Sequence, residues 1–218
     1  MIVPESAAEL IGQFLPNFVG ALLARPAAAV QQSSASSKAN PPAPVGVGLR
    51  VVGAGEWTLR IVGTDPARTP SAPRLVVEAG IAGDVALQVS LAERDFAPLV
   101  VAPLRRALAA GAGASSTAAA NLWTRLGRWD AETVDLLRRQ TGGILLRIRD
   151  AELQRCVALT PSTQPFSLET APCLIDCALS DLEQLQAQRG SPLDLFYAGQ
   201  IRISGDAQIA LAMAGLFL

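Results

Sequence analysis

The chain has 218 residues, of which half are hydrophobic, and its formal net charge is −1. That length suffices for one large domain or two small ones, and the near-neutral charge excludes the basic surface typical of nucleic-acid-binding proteins. The sequence contains no histidine. This excludes the triad hydrolases that need a histidine base and removes the commonest ligand of metal sites.

The three cysteines, Cys156, Cys173 and Cys177, indicate a reducing compartment. The last two lie four residues apart in a strand-like segment, which places their Cα atoms roughly 13 Å apart, whereas a disulfide needs about 7 Å or less. We therefore expect free thiols and a cytoplasmic protein. We expect neither a signal peptide nor a membrane span, because the first residues lack a basic region and the apolar segments are short.

Residues 5–24 are predicted to form a helix, because their apolar side chains recur at helical spacing. Pro16 should kink this helix or divide it. Residues 31–44 have the composition of a linker. Four segments then alternate apolar and polar residues, which predicts an antiparallel meander with one buried and one solvated face; they are 45–52, 56–63, 74–79 and 85–90.

Ser90 and Glu93 have the spacing of a capping box, which predicts a helix over about 91–110. A second flexible segment over 111–121 and a helix over 130–141 should follow. The strand pattern then recurs, and a second capping box at Ser180 and Glu183 follows it; the recurring segments are 143–150, 153–160, 166–171 and 174–180. The sequence therefore predicts an internal repeat.

The second half continues beyond the point where the first half stops. Residues 200–204 are predicted to form a fifth strand, which Gly205 ends in a tight turn. Asp206 is interpreted as the N-cap of an uncharged helix over 207–217, in preference to a polar group at a ligand. A helix without charge is buried on all sides or contacts lipid, and this one is too short to span a bilayer.

This order of elements resembles the sterol carrier protein type 2 family. The resemblance is carried by "LFYAGQIRISGDAQIALAMAGLF" (195–217), and in the first half by "GAGEWTLRIVG" (53–63) and "DVALQVSLAERDFAPL" (84–99). Two other stretches, "GGILLRIRDAELQRCVAL" and "LSDLEQLQAQRGSPLDLFYAGQIRISGD", are similar to bacterial accessory proteins of ubiquinone biosynthesis.

The resemblance implies an α+β fold, with antiparallel sheet or sheets and helices on one face, enclosing an apolar tunnel. It implies a non-enzymatic function, without cofactor or metal, in the binding or transfer of a hydrophobic lipid of the sterol, fatty acyl or polyprenyl-quinone type. The tunnel would be lined by eleven residues: Phe166, Leu168, Ile175, Leu179, Leu195, Phe196, Ile201, Ile203, Ile209, Met213 and Phe217.

We divide the chain into an N-terminal helix and linker (1–44), a first, degenerate unit (45–111), a linker and helix (112–142) and a second, more complete unit (143–218). An alternative is a scaffold that kept the fold, filled the tunnel and binds a biosynthetic enzyme through a sheet edge or through Trp123 and Trp129. Core burial is the simpler interpretation of all three tryptophans. A third possibility is a peripheral membrane contact through helix 5–24; no nucleic-acid partner is expected.

Overall fold

A computed structural model describes residues 3–23, 46–62, 74–109, 134–135, 139, 142–151, 153–160, 171–186 and 192–214. The strands in these ranges are β1 (Gly46–Val52), β2 (Gly55–Val62), β3 (Arg74–Ala79), β4 (Val85–Ala92), β5 (Ile144–Asp150), β6 (Leu153–Thr160), β7 (Cys173–Ala178) and β8 (Arg202–Gly205). The α-helices are α1 (Ala7–Glu9), α2 (Leu15–Leu23), α3 (Glu93–Phe96), α4 (Ala102–Ala109), α5 (Leu179–Gln186), α6 (Pro192–Tyr197) and α7 (Ala207–Ala214). The α+β class is confirmed.

All eight of these strands form one sheet in the order β3-β2-β1-β4-β6-β5-β7-β8. The two predicted units therefore share a sheet, and β4 pairs with β6 where they meet. The directions of pairing recur along the sheet. From β3 to β6, successive pairs are antiparallel, antiparallel, parallel and antiparallel. The same series runs from β4 to β8. The internal repeat itself stays a prediction.

The expectation of a wholly antiparallel meander is wrong, because β1 pairs with β4 and β5 pairs with β7 in parallel. In the first half, the chain leaves β3 at the sheet edge and crosses behind β2 and β1 before it enters β4. The buried Thr58 hydroxyl anchors this crossing, since it donates to the Gly80 carbonyl oxygen at 2.8 Å and accepts from the Ala82 N–H at 2.8 Å. Alternation reveals which face a residue occupies, but it does not reveal which strand lies beside it.

The crossing also explains why the second face of the sheet is not uniformly solvated. Thr58 and Gln88 are both fully buried there, although their alternation with apolar neighbours predicted exposure. Gly48 lies between them in register, and a Cβ at this position would lie 3.1 Å from the Ile81 side chain. The absence of a side chain at Gly48 therefore lets the crossing segment approach the sheet closely.

The predicted N-terminal helix forms, and its division near Pro16 is confirmed. A π-helical segment (Leu10–Phe14) separates α1 from α2, and the Leu15 N–H donates to the Leu10 carbonyl oxygen five residues back. A second π segment (Ala97–Val101) ends in the same way, immediately before Pro103. Proline has no N–H and its ring crowds the carbonyl four residues earlier, so a wider turn relieves the helix at both places.

Both predicted capping boxes are wrong. Helix α3 begins after Ala92, and Ser90 lies within β4, where its hydroxyl accepts from the Gln88 amide nitrogen at 3.1 Å. Helix α5 begins one residue before Ser180. There Asp181, in the first turn of the helix, accepts from the Ala178 N–H at 3.0 Å. The reciprocal half of a capping box is thus present, but a carboxylate one turn inside the helix supplies it.

A buried ion pair joins the two halves beside the β4–β6 junction. Asp95, whose side chain is 3% exposed, accepts from the Arg155 guanidinium at 3.3 Å. Arg155 also pairs with Asp150 at 2.8 Å. Because the Asp95 side chain is almost wholly removed from water, loss of Arg155 would leave its carboxylate without a buried partner, whereas loss of Asp95 would leave Arg155 paired with Asp150.

Several predictions lie outside the described residues. They concern the linkers 31–44 and 111–121, all but the last residue of the strand 166–171, most of the helix 130–141, the end of the helix 207–217, and Trp123 and Trp129. Trp57 is described, and its predicted position in the core is confirmed, since it is 9% exposed.

Candidate functional site

Apolar side chains run across six adjacent strands on one face of the sheet. On β1, β4 and β6, Leu49 lies beside Val89, and Val89 lies beside Leu159. Two residues before Leu159, on the same face of β6, Val157 continues the series. It pairs with Leu146 of β5, which pairs with Ile175 of β7, and Ile175 pairs with Ile203 of β8. We call this set the apolar stripe; its members are Leu49, Val89, Val157, Leu159, Leu146, Ile175 and Ile203.

All members of the apolar stripe are partly exposed. Partial exposure is unusual for the six members other than Ile203. They lie on β1, β4, β6, β5 and β7, which are interior strands with a hydrogen-bonded neighbour on both sides. Apolar positions at the centre of a sheet are normally covered by a packed layer. The described helices leave this part of the sheet only partly covered, and the stripe is therefore the surface on which an apolar ligand would displace water.

Helices border the stripe on both halves of the sheet. In the first half, Phe96 and Val101 belong to a buried cluster with Val51 and Leu91, and Leu49 and Val157 pack against that cluster. In the second half, Ile209 and Ala210 of α7 are buried, with Ile144 and Cys173 of the sheet in the same cluster. Val89, Leu159, Ile175 and Ile203 pack against this second cluster. The middle of the stripe thus lies between two helical layers.

The position of α7 depends on the turn that precedes it. Gly205 has φ +83°, and a Cβ there would lie 2.2 Å from the Pro172 carbonyl oxygen. The next residue, Asp206, donates its N–H to the same oxygen at 2.7 Å. The Asp206 carboxylate accepts from the Gln208 N–H at 3.0 Å. The interpretation of Asp206 as a helix cap is therefore confirmed, as is the tight turn at Gly205.

The structure brings three of the eleven predicted lining residues together. Ile175 and Ile203 are neighbours in register, and both pack against the cluster that contains Ile209. Leu195 is buried at 5% exposure but does not belong to this cluster, and Phe196 is 44% exposed. Leu179 and Ile201 are partly exposed and also lie outside the cluster.

The other predicted lining residues cannot be placed. Phe166, Leu168 and Phe217 lie outside the described residues, and for Met213 the structure describes only the helical backbone. Their part in binding stays a prediction.

The sequence prediction missed the half of the stripe that belongs to the first unit and to β5 and β6. Leu49, Val89, Val157 and Leu159 each lie between polar or small residues, whereas Leu146 lies between Leu145 and Arg147. The shared face of the first four could have been found from this alternation. Their adjacency could not, because it depends on the parallel pairs and on the β4–β6 junction.

The thiols of the three cysteines are protonated at neutral pH. Burial raises the pKa of Cys177 to about 11, and the nearby Asp181 and Asp176 carboxylates act in the same direction. Burial also raises the pKa of the Cys173 thiol and of the Cys156 thiol. All three cysteines are free, as predicted. They contribute apolar surface rather than nucleophiles, because the thiolate is the reactive form.

The opposite face of the second half carries charge. Asp176 accepts from the Arg147 and Arg149 guanidinium groups, each at 2.7 Å. Burial alone would raise the pKa of Asp176, but the hydrogen bonds from the two arginines outweigh it, and the pKa lies below its usual value. The two faces of this half of the sheet are therefore chemically distinct, one apolar and one cationic.

Two further properties of the described residues bear on function. They contain no group of three or more histidine, cysteine or acidic side chains placed to hold a metal ion. Within the same ranges, no helix is long and apolar enough to cross a membrane.

Comparison with known protein families gave a match over the second half of the chain. Residues 124–218 match the family model of the SCP-2 sterol transfer family. A search of curated proteins gave no match.

Among solved structures, the chain is similar to apo sterol carrier protein 2 from Yarrowia lipolytica, with 13% identity and a TM-score of 0.30, over 40% of this chain and 74% of that one. It is also similar to sterol carrier protein 2 like 2 from Aedes aegypti, with 18% identity and a TM-score of 0.31, over 47% of this chain and 94% of that one. The family resemblance predicted from the sequence is thus confirmed, and it rests on residues 124–218, which match the SCP-2 sterol transfer family.

Proposed function

We propose that this protein is a non-catalytic carrier that binds the hydrocarbon part of a lipid along the apolar stripe. The observation that supports this most directly is the partial exposure of apolar side chains on interior strands, between the helical layers of the two halves. A bound hydrocarbon chain would cover these side chains as a packed helix does in other sheets.

The dimensions of the stripe suit a lipid tail. It crosses six strands from β1 to β8, and five steps of about 4.8 Å give a length of roughly 24 Å. One leaflet of a bilayer core is about 15 Å thick, since the whole core measures about 30 Å. An extended tail of ordinary length would therefore lie within the stripe.

Burial of the tail would supply the free energy of binding. Each methylene group removed from water contributes about 0.8 kcal/mol, so ten groups contribute about 8 kcal/mol before the costs of association are subtracted. The buried Asp95–Arg155 pair lies at the edge of the stripe, but its charges neutralise each other. The stripe thus favours the tail of the ligand and places little demand on its headgroup.

This argument favours hydrophobic lipids as a class, and sterols, fatty acyl chains and polyprenyl quinones all belong to it. We propose a single extended chain in preference to a compact ring system, because the stripe is long and crosses the junction of the halves. Presentation of a ubiquinone precursor to a biosynthetic enzyme in a bacterial cytoplasm is a narrower proposal, and it depends on the similarity of the second half to the accessory proteins of that pathway.

Native mass spectrometry of freshly purified protein tests the proposal. A co-purified lipid, released on denaturation and identified by extraction, is the expected result. Binding of a fluorescent fatty acid should be saturable, and an extracted lipid should displace the probe. Absence of both lipid and probe binding in a folded protein would contradict the proposal. A stoichiometric protein partner recovered without lipid would favour the scaffold alternative.

The chain offers a matched pair of variants on one strand. Leu146 belongs to the stripe, and Leu145 is its neighbour on the opposite face, with similar partial exposure. Leu146→Gln should weaken probe binding by about tenfold, because an amide without a partner then faces the tail. Leu145→Gln should leave probe binding unchanged. Equal effects of the two variants would show that the stripe is not the binding surface.

A further inference from the structure

Helix α6 exposes apolar side chains to water. Leu193, Phe196 and Tyr197 are 57%, 44% and 81% exposed, whereas Leu195 is 5% exposed. Positions three and four apart share one face of a helix, so the three exposed side chains form one patch and Leu195 anchors the opposite side. The rings of Phe196 and Tyr197 contact each other edge to face, with centroids 5.9 Å apart.

This patch differs from the other large exposed apolar residues. Val52 and Leu153 are 61% and 58% exposed, but each is a single side chain, and the two lie on opposite faces of the sheet according to the strand registers. Single exposed apolar residues are normal on protein surfaces. Three on one short helix, two of them aromatic, call for an explanation.

Positive charge adjoins the patch. Arg202 follows Tyr197 by five residues, which limits their Cα separation to roughly 18 Å. Arg202 is exposed, and no ion pair among the described residues involves its side chain. It lies beside Asp176 in register, and Asp176 is already bonded to Arg147 and Arg149. Arg202 thus shares one face of the sheet with Arg147, Arg149 and Asp176, and Asp194, exposed in the first turn of α6, adds one further negative charge near the patch.

We propose that α6 and the adjoining arginines dock the protein on the surface of an anionic lipid bilayer. Phenylalanine and tyrosine in the patch would enter the headgroup region, where aromatic side chains are enriched. The arginines would contact lipid phosphates, which attract basic side chains near the surface. The combination of a few inserted apolar residues with flanking positive charge is typical of proteins that lie on membranes without crossing them.

A bilayer suits the patch better than a protein partner does. Three side chains exposed to these fractions offer roughly 400 Å² of surface, whereas a stable protein interface buries about 800 Å² on each partner. Insertion into a membrane requires no such area, because lipids surround each inserted side chain. Arg147, Arg149 and Arg202 outnumber the Asp176 and Asp194 carboxylates by one charge, and this balance favours an anionic surface.

The predicted contact through residues 5–24 is less suitable. Leu10, Ile11 and Val19 are fully buried in the cluster that covers the first half of the sheet. Their apolar face is therefore occupied within the molecule and is not available to a bilayer.

Vesicle flotation of the full-length protein tests the proposal, and it does so separately from lipid carriage, because it measures attachment and not the content of the stripe. The protein should float with vesicles of phosphatidylcholine mixed with phosphatidylglycerol, and much less with phosphatidylcholine alone. The Phe196→Ser/Tyr197→Ser double variant and the Arg202→Glu variant should each reduce the bound fraction by about tenfold at limiting lipid.

Two control variants separate membrane contact from general damage. Val52→Ser removes an exposed apolar side chain elsewhere, and Arg74→Glu reverses an exposed charge on β3 at the opposite edge of the sheet. Both should float like the parent, with unchanged circular dichroism. Equal binding to neutral and anionic vesicles would overturn the proposal, and so would full binding by the Phe196→Ser/Tyr197→Ser variant. Self-association of the parent protein that only this double variant abolishes would also overturn it. If the double variant fails to fold, Arg202→Glu decides the question.

Discussion

Replacement of Gly205 by alanine should destabilise the protein more than an ordinary substitution at a turn. A left-handed backbone costs an alanine about 1–2 kcal/mol relative to glycine. At φ +83° the new methyl group would also lie 2.2 Å from the Pro172 carbonyl oxygen, which belongs to the backbone and cannot rotate away. The turn must open, and this breaks the 2.7 Å hydrogen bond from the Asp206 N–H, a loss of about 1 kcal/mol. The total is about 2–3 kcal/mol.

Gly80 provides the matched control for this substitution. It has the same φ of +83°, but a Cβ there would meet nothing within 4 Å. Gly80→Ala should therefore cost only the backbone strain, about 1–2 kcal/mol. Chemical denaturation followed by circular dichroism gives both free energies of unfolding. Because the turn at Gly205 positions α7, Gly205→Ala should also weaken binding of a fluorescent fatty acid. Equal costs for the two variants would refute the argument from the contact with Pro172.

Three other predictions concern single side chains. Asp176→Asn should lower the free energy of unfolding at pH 7 by about 1 kcal/mol, because its two arginine partners are partly exposed. Because the pKa of Asp176 is lowered in the folded protein, its carboxylate stabilises the fold fully above the usual carboxyl pKa. This stabilisation is lost as the pH falls through the pKa of the folded protein. Denaturation curves of variant and parent should therefore converge in acid. Cys156 should react with a thiol reagent at neutral pH before Cys177 does. Cys156 is partly exposed, whereas Cys177 is 3% exposed and has a pKa of about 11. Equal reaction rates in the folded protein would contradict this prediction. Asp206→Ala removes the N-cap of α7 and should cost about 1 kcal/mol in the same unfolding assay, with no cost expected if the carboxylate served a ligand alone.

The sequence predicted local structure well where a single physical cause decides it. The alternation in 153–160 and 74–79 gave β6 and β3 their observed bounds, because strands with one apolar face have few other ways to bury it. Pro16 marked the division of the first helix, and Gly205 with Asp206 marked a turn and a cap. In each of these cases the relevant interaction lies within a few residues of the chain.

Predictions failed where distant parts of the chain decide the outcome. Alternation predicted an antiparallel meander, but β1 pairs with β4 and β5 pairs with β7 in parallel. The family resemblance predicted that both Leu195 and Phe196 line the tunnel, yet Leu195 takes the buried side of α6 and Phe196 is 44% exposed. Short helices allow either side chain to face inward, and packing partners that are remote in sequence make the choice.

The pairing pattern explains why the first half of the chain needs no fifth strand of its own. The neighbour of β4 is β6, which is antiparallel to it, just as β8 is antiparallel to β7. In the second half, β4 lies beside β6 in the position that β3 holds beside β2 in the first half. Strands β4 and β6 therefore complete both five-strand series at once. The apolar stripe follows from this sharing, because Val89 and Leu159 meet at the shared pair. A surface long enough for an extended lipid tail thus arises where two short units would otherwise each end in an open edge.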